Sequence, residues 1–264
     1  MIRVTAYNEE VDISLQEKGF ALIPSFLSPA QMAELQRFFT ETLPSSGVDL
    51  PFFTTHWSSN EAYRKKVNDF VSGYIKSNLA QHFTGYKCLF GYFLFKKSST
   101  QGGVYMHKDW TLIDEETFTG YTLWIPLVDT THENGSLEVV PGSHLTDIKV
   151  RGSNISQDYP QVSEKDFRSL PVSAGDAIVF DHRLLHSSPP NFSQSDRLTV
   201  GLVIVPENAV SIHYFHLPDT GETKRFETGD DFLVKSFYDY QENKPNEYIM
   251  HLITTAESPQ NIAP

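Results

Sequence analysis

Cysteine is nearly missing from this chain of 264 residues, which carries a single one, Cys88. A disulfide framework is excluded, as is any zinc or iron–sulfur site built on thiolates. Cys88 sits beside Leu89 and Phe90, so it reads as a small buried apolar residue, and the composition suits a reducing cytoplasm. Positive charge is also short, with 21 Lys and Arg against 33 Asp and Glu, a formal net charge of −12. Such a surface repels phosphate backbones, which argues against a nucleic-acid partner. No apolar run approaches the ~20 residues that cross a bilayer, and the opening residues show no secretory pattern. The chain ends Asn-Ile-Ala-Pro, without a peroxisomal signal. No repeat, low-complexity tract or linker divides it, so one domain of 1–264 is expected: a helical part over about 26–85, a β core over about 87–205 and an extension over 206–264.

Aromatic residues are plentiful at 13%, which favours pleated, half-buried surfaces. Residues 18–24 read as a short buried strand ended by Pro24. A helix should follow. Ser28 is a suitable N-cap, Pro29 suits the first turn, and Gln31 completes a capping box. Met32, Leu35, Phe38, Phe39 and Leu43 then recur on one face, before Pro44 stops the helix. A second helix should open on Ser58 and Glu61 as a capping box, with a stripe from Val67 to Leu79. From about residue 87 short strands alternate with turns, at 89–95, 122–128, 137–140, 177–180 and 198–205. Asn134-Gly135 marks a tight turn. The pattern predicts helices packed outside a β-sandwich or barrel that can hold a ligand. In the extension, Phe232, Leu233, Phe237 and Tyr238 are candidates to pack back on the core.

The segment Tyr105-Met106-His107-Lys108-Asp109-Trp110 carries the chemistry. Residues two apart on a strand share a face, so His107 and Asp109 would project together. Alone, a His-x-Asp pair is a common accident. With a second histidine from a distant strand, it makes the two-His, one-carboxylate set that leaves half of an octahedral metal's positions open. The stretch Gly175-Asp176 to His186, then a Pro/Asn turn, then Arg197-Leu198-Thr199, supplies such a strand. A guanidinium beside a hydroxyl two residues away matches a carboxylate.

These segments resemble the phytanoyl-CoA hydroxylase family of Fe(II)/2-oxoglutarate oxygenases. The resemblance covers about 18–205. It is carried by Gly19 to Pro24, His107-x-Asp109, Trp124-Ile125-Pro126-Leu127-Val128-Asp129, Asn134-Gly135-Ser136-Leu137 through Pro141-Gly142-Ser143-His144, and Gly175-Asp176 through His186 to Arg197. It implies a mainly β fold with flanking helices, a double-stranded β-helix or cupin-like jelly-roll. It further implies His107, Asp109 and His186 as iron ligands, Arg197 and Thr199 on the far carboxylate of 2-oxoglutarate, and Trp124 nearby. The cofactors implied are Fe(II), 2-oxoglutarate and O2, and the reaction is hydroxylation of a small molecule. Met106 and Lys108 depart from the family's usual residues and are expected to alter the pocket wall. Tyr105 and Trp110 are candidate substrate walls.

Other readings remain at this stage. A cupin-type isomerase, epimerase or ligand-binding protein would share the fold, and Arg197 with Thr199 argues against it. His182 and His186 have the spacing of a zinc-binding helix, but their flanks are strand-like and the Glu base is absent. His182 then reads as a neighbour of the site or a surface residue, His144 as a structural hydrogen-bonding residue, and His213 and His216 as packing residues or pocket edge. Lys96-Lys97 is a solvated pair by default, or the mouth for an anionic substrate. A free small molecule is favoured over an acyl-CoA. Membrane and nucleic-acid partners are not expected, and the oligomeric state is not readable.

Overall fold

The computed structural model describes residues 1–44, 50–146, 150–155, 158–217, 219–236, 238, 239 and 244–255. Ten strands build its two facing sheets. They are β1 (Phe20–Ile23), β2 (Phe52–Thr54), β3 (Tyr86–Lys96), β4 (Val104–His107), β5 (Tyr121–Pro126), β6 (Leu137–Val139), β7 (Arg168–Leu170), β8 (Ala177–Asp181), β9 (His186–Ser188) and β10 (Arg197–Pro206). The larger sheet runs β1-β8-β5-β10-β3-β2 and the smaller β7-β6-β9-β4. Every neighbouring pair in both is antiparallel. The strand spacing predicts a sandwich or barrel, and the fold is the jelly-roll that the family resemblance implies.

The central strands β5 and β10 are apolar almost throughout because both faces are covered. Strand alternation sends Leu123, Ile125, Val179, Val200 and Leu202 to one face. There they meet Leu35 and Phe39 of helix α2 (Pro29–Thr42) and Val67, Val71, Ile75 and Leu79 of helix α3 (Glu61–His82). Burying each such side chain contributes about 1.5–3 kcal/mol. Trp124, Ile178 and Phe180 alternate to the other face and pack on Leu137 and Val139 of the smaller sheet. The interior between the sheets therefore begins at these residues.

The α2 boundary follows the capping chemistry: Ser28 and Gln31 close a capping box, with Pro29 in the first turn. The α3 start does not. Asn60, not Ser58, is its N-cap, and Asn60 Oδ1 accepts from the Tyr63 amide at 3.1 Å. Asn caps as well as Ser, and the Ser58 carbonyl is taken by Arg64 Nη1 at 2.6 Å. A further helix, α1 (Glu9–Lys18), was not expected. Asn8 caps it, and it has a single fully buried residue, Leu15, so its periodic signal is faint. The helical part thus begins before residue 26, and β1 and β2 lend two strands from that part to the larger sheet.

Beyond β10 the chain forms a hairpin (Ile212–Leu217 with Glu222–Glu227) and a helical turn, Phe232–Lys235. Phe232 and Leu233 do pack back, against Phe90, Leu112 and Phe215. The expectations for Phe237 and the Tyr238 side chain lie outside the described residues. Among the described residues no helix is long and apolar enough to cross a membrane.

Candidate metal centre

β9 pairs with β4 so that His186 stands opposite His107. Their ring centroids are 4.1 Å apart. Each ring donates Nδ1–H to a main-chain carbonyl two residues back, His107 to Tyr105 at 2.8 Å and His186 to Leu184 at 2.9 Å. Both Nε2 atoms are thereby left as the lone-pair ends, the tautomer a metal requires. They face Asp109 Oδ1 at 3.9 and 3.7 Å. The three ligand atoms lie within 4.8 Å of one another, a set able to hold a metal ion.

Asp109 reaches this point by a route that strand alternation does not supply, since β4 ends at His107. Two contacts aim it instead. Thr122 Oγ1 donates to Asp109 Oδ2 at 2.7 Å, and Arg151 Nε donates to the Asp109 carbonyl at 2.6 Å. Arg151 is itself fixed by Glu115 in a buried ion pair of 2.5 Å. Burial alone would raise the Asp109 carboxyl. His186, His182, His107 and the Thr122 hydroxyl outweigh it and hold the carboxyl below its ordinary range. Burial, then the neighbouring His107, pushes His186 down to about 4, so its ring is neutral at physiological pH.

Two residues along β9 from His186, Ser188 shares its inward face. Arg197 Nη1 donates to Ser188 Oγ at 3.3 Å and also to the Gly135 carbonyl. Its guanidinium lies 5.3 Å from the Trp124 ring centre. Arg197 and Thr199 are fully buried, yet Arg197 Nε and Thr199 Oγ1 have no partner among the described residues. Unpaired buried polar atoms are costly, and a carboxylate reaching these two would satisfy both. Gly135, at φ 79°, turns the chain so that its carbonyl comes to this point.

Lys96 corrects the expectation of a solvated pair. It is fully buried, opposite Arg197 in the β3–β10 register. Its Nζ donates to Ser188 Oγ at 2.7 Å and to the Pro189 carbonyl at 2.6 Å. Burial first, then Arg197, lowers its ammonium to about 6. Two basic side chains thus share one sealed corner. The distance from the triad to that corner is two strand residues, roughly 7 Å.

The triad opens on a cavity of about 210 Å3 lined by His56, Trp57, Phe90, Tyr92, Trp110, Leu112, His182, Val203 and Leu233 among others. Trp110 is one of these walls. Tyr105 is not: it is 92% exposed and lines a separate open cleft with Met106, Glu138 and Ser187. Lys108 also points away, with Nζ on the Ser143 and Thr146 carbonyls at 2.9 and 3.1 Å. Neither Met106 nor Lys108 shapes the cavity that holds the triad, contrary to the expectation for both. His182 lines it, and residues 182–185 form no helix, which removes the zinc-helix reading. His144 donates to the Gln16 carbonyl at 3.1 Å and ties its turn to α1. His213 is packed between Trp110 and Phe232.

Sequence reasoning missed His56, Trp57, Phe90 and Tyr92. Phe90 and Tyr92 were legible only as strand residues. Across the β3–β10 pair, Tyr92 lies over Gly201, where a Cβ would stand 2.3 Å from the ring. Only glycine leaves room for that wall.

Residues 15–199 match the family model described as phytanoyl-CoA dioxygenase (PhyH). The phytanoyl-CoA dioxygenase of Arabidopsis thaliana is 35% identical over 121 residues, 43% of this chain and 42% of that protein. The phytanoyl-CoA dioxygenase domain-containing protein 1 homolog of Dictyostelium discoideum is 31% identical over 116 residues, 40% of this chain and 41% of that protein. The matched region thus spans about two fifths of these curated relatives. Among solved structures, the non-haem alpha-ketoglutarate-dependent carbocyclase SnoK from nogalamycin biosynthesis aligns with TM-score 0.57 at 23% identity, covering 77% of this chain and 86% of that one. EvdO2 from Micromonospora carbonacea var. aurantiaca, complexed with 2-oxoglutarate, aligns with TM-score 0.56 at 18% identity, covering 78% and 94%. HygX from Streptomyces hygroscopicus with iron bound aligns with TM-score 0.56 at 17% identity, covering 77% and 88%. At these identities the likeness is one of fold. The family model, which covers well over half of the residues, carries the assignment: the chain belongs to the phytanoyl-CoA dioxygenase family.

Proposed function

We propose that this protein is an Fe(II)- and 2-oxoglutarate-dependent oxygenase that hydroxylates a C–H bond of a small molecule. The observation that carries the reading is the convergence of His107, Asp109 and His186, two residues along β9 from a sealed corner holding Lys96 and Arg197. The donor set fits iron: two neutral imidazoles and one carboxylate suit Fe(II) and leave half of its positions for substrate-derived ligands. The corner fits a carboxylate, because Arg197 Nε and Thr199 Oγ1 are buried without partners among the described residues. A dicarboxylate with one end at the triad and the other at Arg197 would satisfy both ends of the site.

Iron with bound 2-oxoglutarate and O2 supplies C–H oxidation with release of succinate and CO2. The chain's own groups do the positioning. Thr122 and Arg151 hold Asp109 in register, and the Tyr105 and Leu184 carbonyls fix the two imidazole tautomers. Arg197, Lys96 and Ser188 would orient the co-substrate, and the aromatic cavity would exclude water and present the substrate. The intact carboxylate at 109 supports hydroxylation over halogenation, which needs that position empty.

The test is anaerobic addition of Fe(II) and 2-oxoglutarate. The wild type should develop a weak visible charge-transfer band and release succinate on exposure to O2. Asp109→Ala should lose both, with unchanged far-UV circular dichroism. Normal 2-oxoglutarate turnover by that variant would sink the ligand assignment.

A further inference from the structure

The cavity beside the triad is one-sided in its chemistry. Among the described residues its lining holds no lysine or arginine, and its one carboxylate, Asp109, belongs to the metal set. Arg64, whose charge is felt at His56, spends its guanidinium on main-chain carbonyls: Val234 at 2.6 Å, Ser58 at 2.6 Å and Lys235 at 3.1 Å. A carboxylate or phosphate carried into this space would lose its water and meet no cation. The basic side chains of the centre, Lys96 and Arg197, are turned to the other corner.

The polar side chains on this wall are His107, Asp109 and Thr122 of the metal set, then His182, Tyr92 and His56, of which His56 is ringed by aromatic side chains. His56 stands among Trp57, Phe90, Tyr92 and Trp110, with ring centroids 5.8 to 6.1 Å from its own. Its Nδ1 meets Thr54 Oγ1 at 3.3 Å, and nothing among the described residues takes Nε2. Burial, then Arg64, lowers this ring to about 4, so it offers a neutral hydrogen bond. The space, about 210 Å3, exceeds the roughly 150 Å3 cavity that accepts benzene. One or two fused rings fit it.

We infer that this cavity takes a compact, uncharged ring compound whose single oxygen meets Nε2 of His56, making His56 the residue that sets polar specificity. The inference rests on the oxygenase reading for why a substrate comes here. The cavity's selectivity is measurable without metal. A CoA thioester, whose phosphates need cations, is excluded from the class.

Calorimetry at pH 7.5 on the full-length, chelator-treated protein tests it with 2-naphthol, naphthalene, 2-naphthoate and 2-naphthoyl-CoA. 2-Naphthol should bind at least tenfold more tightly than each of the other three. His56→Phe should bring 2-naphthol to the level of naphthalene while naphthalene's own Kd moves less than twofold. His56→Gln, which keeps a hydrogen-bonding group, should retain at least half of the preference. Equal or tighter binding of 2-naphthoate or of the thioester overturns the inference, as does a full preference surviving in His56→Phe. The wild-type series decides the charge selectivity even where a variant fails to fold. Loss of the Fe(II)/2-oxoglutarate band with the naphthol preference intact would sink the oxygenase reading alone. The band without the preference would sink this inference alone.

Discussion

Lys96 brings an amine into a corner that water does not reach, beside a guanidinium of the same sign. Its ammonium is lowered from 10.5 to about 6, by burial and then by Arg197, with Glu138 opposing. The amine is therefore mostly neutral at pH 7.5 in the free protein. A carboxylate arriving between Lys96 and Arg197 reverses the balance and favours the charged form. Binding of 2-oxoglutarate at pH 7.5 should thus take up close to one proton. Calorimetry in two buffers of different ionisation enthalpy reads this directly, and Lys96→Met should abolish the uptake. Identical apparent heats in both buffers for the wild type would exclude the role. The sign for stability follows the same shift. The folded value is below the unfolded one, so between about pH 6 and 10.5 the unfolded chain holds more protons. This group's contribution to the free protein's stability therefore rises with pH through that window and is least favourable below about 6. The sequence hides all of this, because Lys96-Lys97 looks like an exposed pair. Strand alternation sends the two to opposite faces, and only the register with Arg197 shows which one is inside.

At the scale of elements, what is local in sequence was legible and what depends on competition was not. The Ser28–Gln31 box is a short-range signal with no rival, and α2 starts there. At α3 two cap residues stood two positions apart. Ser58 lost because its carbonyl serves Arg64, whose other donors hold the Val234 and Lys235 carbonyls of the C-terminal helical turn. That long-range tie places Leu233 on the cavity wall and gives part of the extension its role, which no periodicity could reveal. The cap assignment has a direct consequence. Asn60→Ala should cost about 1 kcal/mol of unfolding free energy, while Ser58→Ala should cost distinctly less. Denaturant melts of the two variants decide it, and a larger loss in Ser58→Ala would return the helix start to the earlier position.

Across the whole molecule the site is a clamp between strands far apart in sequence. His107 and Asp109 are near neighbours and could be paired on the page. The His186 strand and the Arg197-x-Thr199 pair could be proposed as partners from their spacing and were tied to the site by family resemblance, whereas the β4–β9 and β3–β10 registers that unite them are properties of the folded sandwich. The same topology makes ligands act on global stability. Metal bound at the triad would link β4 to β9, and a dicarboxylate reaching Arg197 would link these to β10 and, through Lys96, to β3. Anything bound by the folded chain alone stabilises it by RT ln(1 + [L]/Kd), about 2.7 kcal/mol at a hundred times Kd. For a domain of this size that corresponds to a rise in Tm of about 5–10 °C. Mn(II), a redox-quiet stand-in for Fe(II), together with 2-oxoglutarate should give this shift, and a chelator should reverse it. Because the diacid needs both ends of the site, 2-oxoglutarate without metal should give a much smaller rise, and Arg197→Met should remove the increment it adds to metal alone. A full shift from 2-oxoglutarate in the presence of chelator would show that the diacid binds without the triad, and the two-ended site would have to be abandoned.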